Sequence, residues 1–355
     1  MRKCIACICL VTVFCCAVLL GGCKPTSTLT YLDVPASAVS KTEFSYYAVG
    51  NWSAYLCGEW WIEQEDVGHN LTAHSLKTGE TRLLVDTYSN EGGFTFEMFG
   101  NRALFNDCFD TLHVIDMTKE NAHAPLNSQV LAKDPYSVAS FTPFFIHGDD
   151  VYLRFYDRFS AYGAVERVSL TDGSSVILAE ADAKEETITH LDMREDVVCV
   201  YGTQGNTEYL REYDRDGNLL GEYPAAPDYS VEEEVLYGRV CTSDWRGNQL
   251  FVMRQYGIMV YERTADGGYA KVGAMELNGS YSDTEGDYAF YWSNADKTLC
   301  AFRFSTCTAT SFAIPFSEEV KDLRVSDGGY LMLSPVPETE GARIFWYVVD
   351  LTAWF

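Results

Sequence analysis

A turn that returns at nearly constant spacing is the feature that most constrains this chain. Gly50-Asn51, Gly100-Asn101, Gly148-Asp149, Glu195-Asp196, Gly247-Asn248, Gly286-Asp287 and Gly328-Gly329 each separate two strand-like runs. The successive spacings are 50, 48, 47, 52, 39 and 42 residues. A second turn follows each of the first five, some 20 to 30 residues on. Lys77-Thr78-Gly79, the looser stretch after Lys119, Thr171-Asp172-Gly173, Arg215-Asp216-Gly217 and Asp266-Gly267-Gly268 fill these places, and Ser305-Thr306 stands in the sixth. Between the turns lie runs rich in Val, Leu, Thr, Tyr and Phe, the residues that fit a pleated, half-buried surface. No long amphipathic helix is legible.

Each unit therefore reads as four strands. The third is the clearest, with strand A at Phe144-Phe145-Ile146 and strand B over 151–155. Its strand C covers 165–170, and Val176-Ile177-Leu178 forms strand D. Four strands in a period of 40 to 50 residues predict a β-propeller, because one such sheet cannot bury both faces alone. The turn count predicts seven four-stranded blades. The seventh has Ile344–Val349 as its C strand and no D strand, while Thr28–Leu32 is a strand without a blade. Placing Thr28–Leu32 on the outer edge of the last blade would close the ring and cover an edge. Six or eight blades, or two β-sandwich domains, are the alternatives. The strand–turn–strand pattern, with C strands ending in Thr-Gly or Asp-Gly, resembles the quinoprotein-like and related bacterial propellers over most of residues 43–355. The D-strand Trp of quinoprotein repeats is missing, as are WD and kelch signatures. The resemblance thus implies the scaffold without a quinone, and no cofactor is expected.

The N-terminus reads as an address. Arg2 and Lys3 precede an uncharged apolar stretch over 4–20, which ends in Leu20-Gly21-Gly22-Cys23. A basic n-region followed by an apolar h-region is an export signal. The last four residues resemble the bacterial lipobox, which implies cleavage before Cys23 and lipidation of its sulfur. A plain membrane anchor is the other reading of a stretch this long. The expected organisation is a signal peptide over 1–22, a lipidated tether over 23–27 and a propeller over 28–355. Several acyl chains on Cys23 would hold the chain stably to a membrane on the extracytoplasmic side. With 26 Lys and Arg against 51 Asp and Glu, the net charge is −25. That balance excludes a nucleic-acid partner, which needs clustered cations. It also makes anionic lipid a poor ligand beyond the anchor itself. The remaining Cys57, Cys108, Cys199, Cys241, Cys300 and Cys307 show no metal spacing. Cys199 and Cys300 read as small core residues, and Cys57 and Cys108 as either a pair or free thiols.

In a four-stranded blade the A–B and C–D turns share one end, and the B–C and D–A loops share the other. The second set is longer and more varied here, and loops carry binding chemistry more often than the scaffold. The sharpest candidates on that face are Trp60 and Trp61, in a stretch expected to be the first B–C loop. Tyr156, Arg158 and Tyr162 flank the third. Exposed Trp can stack on sugars or anchor a protein partner, while a packed Trp is the structural alternative. Glu232-Glu233-Glu234 reads as a solvated charge run, with a cationic partner as the sharper alternative. Asp214-Arg215-Asp216-Gly217-Asn218 is read as a hairpin turn rather than a calcium loop, and no metal site is expected. No nucleophile elbow or phosphate loop appears. The expected function is a non-catalytic binding module for an envelope protein, peptide or glycan. The alternative is a glycan hydrolase or lyase using acidic residues of the same scaffold.

Overall fold

A computed structural model of the chain describes residues 25, 29–42, 54–64, 71–85, 96–99, 102–107, 111–117, 123–125, 141–157, 162–182, 186–194, 196–326, 328–336 and 346–355. Within these, strands follow one another along the chain as antiparallel meanders. The first sheet holds β3 (Ala54–Cys57), β4 (Trp60–Gln64), β5 (Leu71–Ser75) and β6 (Thr81–Val85). The second holds β7 (Phe96–Phe99), β8 (Arg102–Asp107), β9 (Thr111–Asp116) and β10 (His123–Pro125). The third holds β11 (Phe141–His147), β12 (Asp150–Asp157), β13 (Tyr162–Ser169) and β14 (Ser175–Asp182). The fourth holds β15 (Glu186–Arg194), β16 (Val197–Gln204), β17 (Thr207–Tyr213) and β18 (Leu219–Pro224). A short helix, α1 (Val231–Tyr237), leads to the fifth: β19 (Val240–Arg246), β20 (Gln249–Arg254), β21 (Gly257–Arg263) and β22 (Tyr269–Glu276). The sixth holds β23 (Ser280–Glu285), β24 (Tyr288–Ser293), β25 (Thr298–Arg303) and β26 (Thr308–Ala313). The last holds β27 (Val320–Val325), β28 (Tyr330–Pro335) and β29 (Trp346–Asp350).

Two N-terminal strands complete the outer rim, and they correct the expected arrangement. β1 (Leu29–Asp33) does not join the last sheet. It pairs in parallel with β26, so the sixth sheet has five strands and the other six have four. Seven four-stranded blades closed by Thr28–Leu32 is therefore not what forms. The edge of the last sheet is instead taken by β2 (Val39–Thr42), antiparallel to β29. The reason is local. Leu29 and Leu32 are half-buried against two different inter-sheet cores, which the edge of β26 offers together. Val39-Ser40-Lys41-Thr42 carries one apolar residue and gives no strand signal, yet Val39 packs on the core of the last two sheets.

The core lies between sheets, as a propeller requires. Phe251, Met253 and Val260 of the fifth sheet meet Ala289, Tyr291 and Phe302 of the sixth. Phe290, Leu299 and Phe312 of the sixth meet Leu331, Leu333 and Val349 of the last. The first and last sheets also pack together, through Leu56 and Trp61 against Tyr330, Met332, Trp346 and Val348. The Ser326 hydroxyl donates to the Gly58 carbonyl at 2.8 Å across the same junction. The second strands of the fourth to last sheets, β16, β20, β24 and β28, are buried on both faces over most of their length, which is why runs such as Gln249–Arg254 read as continuous rather than alternating.

Six of the seven predicted A–B turns stand where they were placed. The first does not. The turn between β3 and β4 is Gly58-Glu59 and not Gly50-Asn51. Gly58 takes φ +52°, matching Gly148 (+59°), Gly247 (+59°) and Gly286 (+53°) at the same place in later sheets. Only glycine adopts that conformation without strain, so the left-handed glycine marks the repeat better than Gly-Asn does.

Candidate functional site

The shift of the first turn moves the expected Trp site. Trp60 opens β4 beside the A–B turn, at the opposite end from the B–C loops. Trp61 is fully buried, with its ring 5.0 Å from that of Trp346 in the last sheet. Trp60 is half-buried under the Arg82 guanidinium, 4.4 Å from its ring centroid. Tyr156 and Tyr162 lie at the B–C end of the β12–β13 hairpin, as expected, where Tyr156 pairs with Gly163 and Tyr162 with Asp157. Arg158 lies outside the described residues, as do Cys23 and Cys108, and with Cys108 any pairing to Cys57. Cys199 and Cys300 are buried on β16 and β25. The Asp214–Asn218 stretch is a hairpin turn, in which Asp214 Oδ1 accepts from the Asp216 and Asn218 amides at 3.0 and 2.8 Å.

The B–C/D–A face does carry concave sites, on later sheets than the sequence suggested. A cleft of about 830 Å³ opens between the fifth and sixth sheets. Its walls are the D–A connection 276–280, the B–C turn 292–295, Tyr256, and Leu29 and Tyr31 of β1. Tyr31 and Tyr256 are 71% and 43% exposed, so both present ring surface at the rim. A second cleft of about 470 Å³ runs inward from it toward the innermost strands, past Tyr281, Lys321, Asp322 and Arg324. Ser280, Trp292 and Asn294 line both, so the two form one groove.

Local chemistry fixes its shape. Asn294 Nδ2 donates to the Val320 carbonyl at 3.2 Å, and Asn294 Oδ1 accepts from the Val320 amide at 3.1 Å. This side chain thus ties the B–C turn of the sixth sheet to the start of β27 as a strand partner would. Asn278 Nδ2 donates to Thr298 Oγ1 at 3.0 Å, and the Ser293 hydroxyl to Asp296 at 3.0 Å. Gly279 takes φ +100°, and a Cβ there would come within 2.3 Å of the Trp292 carbonyl carbon. The connection can lie this close to the Trp292 backbone only with glycine at that point. Next along β23, beyond the lining residues, burial raises the Asp283 carboxyl, while the Thr284 amide donates to it at 2.8 Å and the Arg324 charge opposes the rise. Burial likewise pushes the Tyr281 phenol up to about 12. A pocket lined by aromatic rings and a few placed amides and hydroxyls is built to hold a polar ligand by stacking and hydrogen bonds.

A third cleft, of about 360 Å³, lies between the fourth and fifth sheets on the same face, lined by His190, Tyr201, Glu208, Tyr229 and Cys241 among others. Burial, then the Arg154 charge, lowers the His190 imidazole, so it favours the neutral form. Tyr201 accepts from the Trp245 indole at 2.6 Å.

One repeated element escaped the sequence reading. Asp192-Met193-Arg194, Asp244-Trp245-Arg246 and Asp322-Leu323-Arg324 place Asp-x-Arg on the innermost strands of three sheets. Asp192 Oδ1 accepts from the Met193 amide at 2.7 Å, and Asp322 Oδ1 from the Leu323 amide at 2.9 Å. Asp192 also reaches the next sheet, where Oδ2 accepts from the Trp245 amide at 3.3 Å. Burial, then repulsion from Asp244, raises the Asp192 carboxyl well above its usual range. Burial raises Asp244, against the pull of Arg246. A carboxyl whose folded pKa lies above its unfolded value stabilises the fold most at low pH, and that contribution is lost as pH rises past the unfolded value. The stability of the wild type relative to Asp192→Asn is therefore expected to fall as pH goes from about 4 to 7. Paired thermal midpoints across that range check this, and a flat difference would refute it. Among the described residues, no three His, Cys, Asp or Glu side chains form a group that could hold a metal ion.

No family model matches the chain, and no curated protein matches it in sequence. Solved structures match in shape. An oligogalacturonate lyase in complex with manganese is 10% identical, with a TM-score of 0.50 over 93% of this chain and 98% of that one. BamB from Moraxella catarrhalis is 13% identical, with a TM-score of 0.42 over 87% of this chain and 100% of that one. The β-propeller domain of the Trilobed protease from Pyrococcus furiosus is 12% identical, with a TM-score of 0.40 over 83% and 80% of the two chains. At such identities the likeness is one of fold, and the fold of this chain is an all-β propeller.

Proposed function

We propose that this chain is a lipid-anchored, extracytoplasmic propeller that works as a binding module, holding an envelope glycan, peptide or protein segment in the groove of the fifth to last sheets. The groove itself carries the reading. Its two limbs share Ser280, Trp292 and Asn294, its rim presents Tyr31 and Tyr256, and its walls are pinned by side-chain amides. Rigid display of such a surface is enough for recognition and needs no bond chemistry. The anchor reading rests on Leu20-Gly21-Gly22-Cys23. Leu29 and Tyr31 wall the groove, and Leu29 follows Cys23 by six residues. Six residues reach about 20 Å at most, so the groove would open close to the membrane. A glycan hydrolase or lyase is the second reading, favoured by the raised carboxyls of Asp192 and Asp244. Both Asp192 oxygens are taken by backbone amides, which suits a strut between sheets better than an acid catalyst.

Calorimetry of the full chain against cell-wall oligosaccharides and envelope peptides tests the module. Tyr256→Ala is expected to weaken the bound probe roughly thirtyfold, about 2 kcal/mol, as loss of an aromatic anchor does. Unchanged affinity would remove the groove from the account. Turnover of a probe that Asp244→Asn abolishes would favour the enzyme. Mass spectrometry of Cys23 in the producing cells tests the anchor separately, and an unmodified thiol would refute it.

A further inference from the structure

The helix α1 is turned the wrong way round for a surface helix. Its seven residues present Val231, Val235 and Leu236 to solvent, 78%, 79% and 64% exposed. Its inward side carries Glu233 and Tyr237, one helical turn apart. Glu233 accepts from Lys271 Nζ at 2.9 Å and from the Tyr261 hydroxyl at 3.3 Å, and Arg254 Nη2 stands 3.8 Å away. Burial pushes the Glu233 carboxyl up, but Lys271 and the Ser230 and Tyr261 bonds outweigh it and hold it below its ordinary value. The Tyr237 carbonyl accepts from the Tyr256 amide at 2.9 Å, and a Cβ on Gly257 would meet the Tyr237 ring at 2.6 Å. The helix is therefore fastened to the fifth sheet by its acid and its Tyr. The Ser230 side chain caps it, accepting from the Glu233 amide at 3.3 Å. Gly238 ends it with φ +73°.

Such fastening fixes an apolar ridge in water. Apolar side chains grouped on a fixed element mark an interaction surface more often than chance exposure does. Around the ridge stand exposed acids, Asp228, Glu232 and Glu234, against the exposed cations Arg239 and Lys271, the second of which is already paired with Glu233. That collar selects among occupants. A second copy would bring its own acids against these and be repelled. An anionic lipid surface would be repelled likewise. A protein groove with an apolar floor and a Lys- or Arg-rich rim meets both the ridge and the collar, as in helix-in-groove recognition. We propose that α1 docks into such a basic-rimmed apolar groove of a separate envelope protein, through Val231, Val235 and Leu236. This surface is distinct from the ligand groove, so its failure would leave the groove reading standing.

Photocrosslinking of the full chain in the envelope of the cells that produce it tests this, with p-benzoylphenylalanine in place of Leu236. The readout is the chemistry of the crosslinked peptide, sequenced by mass spectrometry. The expected result is one segment of another protein, apolar and flanked by Lys or Arg. Glu232→Lys with Glu234→Lys should lower the yield roughly tenfold or more, since like charges then face each other. Raised salt should lower it too. These variants alter exposed side chains, and an unchanged thermal midpoint confirms that the fold is kept. A crosslink to a second copy, to lipid or to an acidic segment overturns the proposal, as does no crosslink. A yield unchanged by the charge reversals overturns it as well.

Discussion

Trp61→Ala is expected to lower stability by about 3–5 kcal/mol, the cost of emptying a large buried aromatic site. The site explains the size. Trp61 is fully buried on β4, and its ring lies 5.0 Å from Trp346 at a tilt of 54°. It joins Leu56 to Tyr330, Met332 and Val348, so it fills the junction of the first and last sheets. The chain passes from the last sheet to the first only through β2 and β3, and β2 is itself held to β29 by strand pairing alone. Truncation there leaves a cavity that neighbouring strands cannot close without moving a whole sheet. Thermal or denaturant unfolding measures it. Trp60→Ala, at a half-buried position under Arg82, serves as the comparison and should cost much less. Equal losses from the two variants would contradict the burial of Trp61 as the seam.

The second large effect is expected at Glu212. This buried carboxylate on β17 forms an ion pair with Arg194 Nη2 of β15 at 2.9 Å and accepts from Arg263 Nη1 of β21. It therefore holds together the fourth and fifth sheets. Glu212→Gln keeps the volume and removes the charge, leaving two guanidinium groups near one another in a poorly hydrated site. Breaking a buried pair by removing one partner costs about 3–5 kcal/mol, because the remaining charge is uncompensated. The Arg263 guanidinium lies 3.2 Å from the Tyr223 ring centroid, and Arg194 5.5 Å from that of Trp245. Those contacts hold both cations in place after the substitution and leave them little route to water. The double variant Glu212→Gln/Arg263→Met should recover part of the loss. A double variant that falls further, additively, would show that the ion pair is not the source.

Much of this architecture is written in local chemistry. The β-rich runs and six of the seven A–B turns are legible because a left-handed glycine or its Asx neighbour has to stand there. The third unit matches its predicted strands, which lie within the longer β11, β12 and β14 and, but for Leu170, within β13. The strand at Thr28–Leu32 is legible but its partner is not, because an edge accepts whichever segment arrives with the right alternation. Leu29 and Leu32 satisfy the sixth sheet, and the weakly apolar Val39–Thr42 is left for the last. The Trp60-Trp61 pair misleads for a different reason. Two adjacent aromatics point to opposite faces of a strand, so one of them enters the core once the turn moves to Gly58-Glu59. The groove was invisible for a third reason. Tyr31, Tyr256, Asn278, Trp292, Asn294 and Lys321 come from three successive sheets and the N-terminal strand. No local spacing announces them, since the angle between stacked sheets brings them together. The Asp-x-Arg recurrence was available as a pattern at 192 and 244, which align three residues before their A–B turns, whereas Asp322 lies six before Gly328 and escapes that alignment.

The central claim is that the groove on the fifth to last sheets is where this propeller binds. Hydrogen–deuterium exchange on the full chain, with and without a fractionated pool of envelope glycans and peptides, tests it most directly. The account predicts slowed exchange confined to 276–280, 292–295 and 320–324, lost in Tyr256→Ala. Protection at the opposite end of the sheets, around Gly58-Glu59 and the other A–B turns, would contradict it.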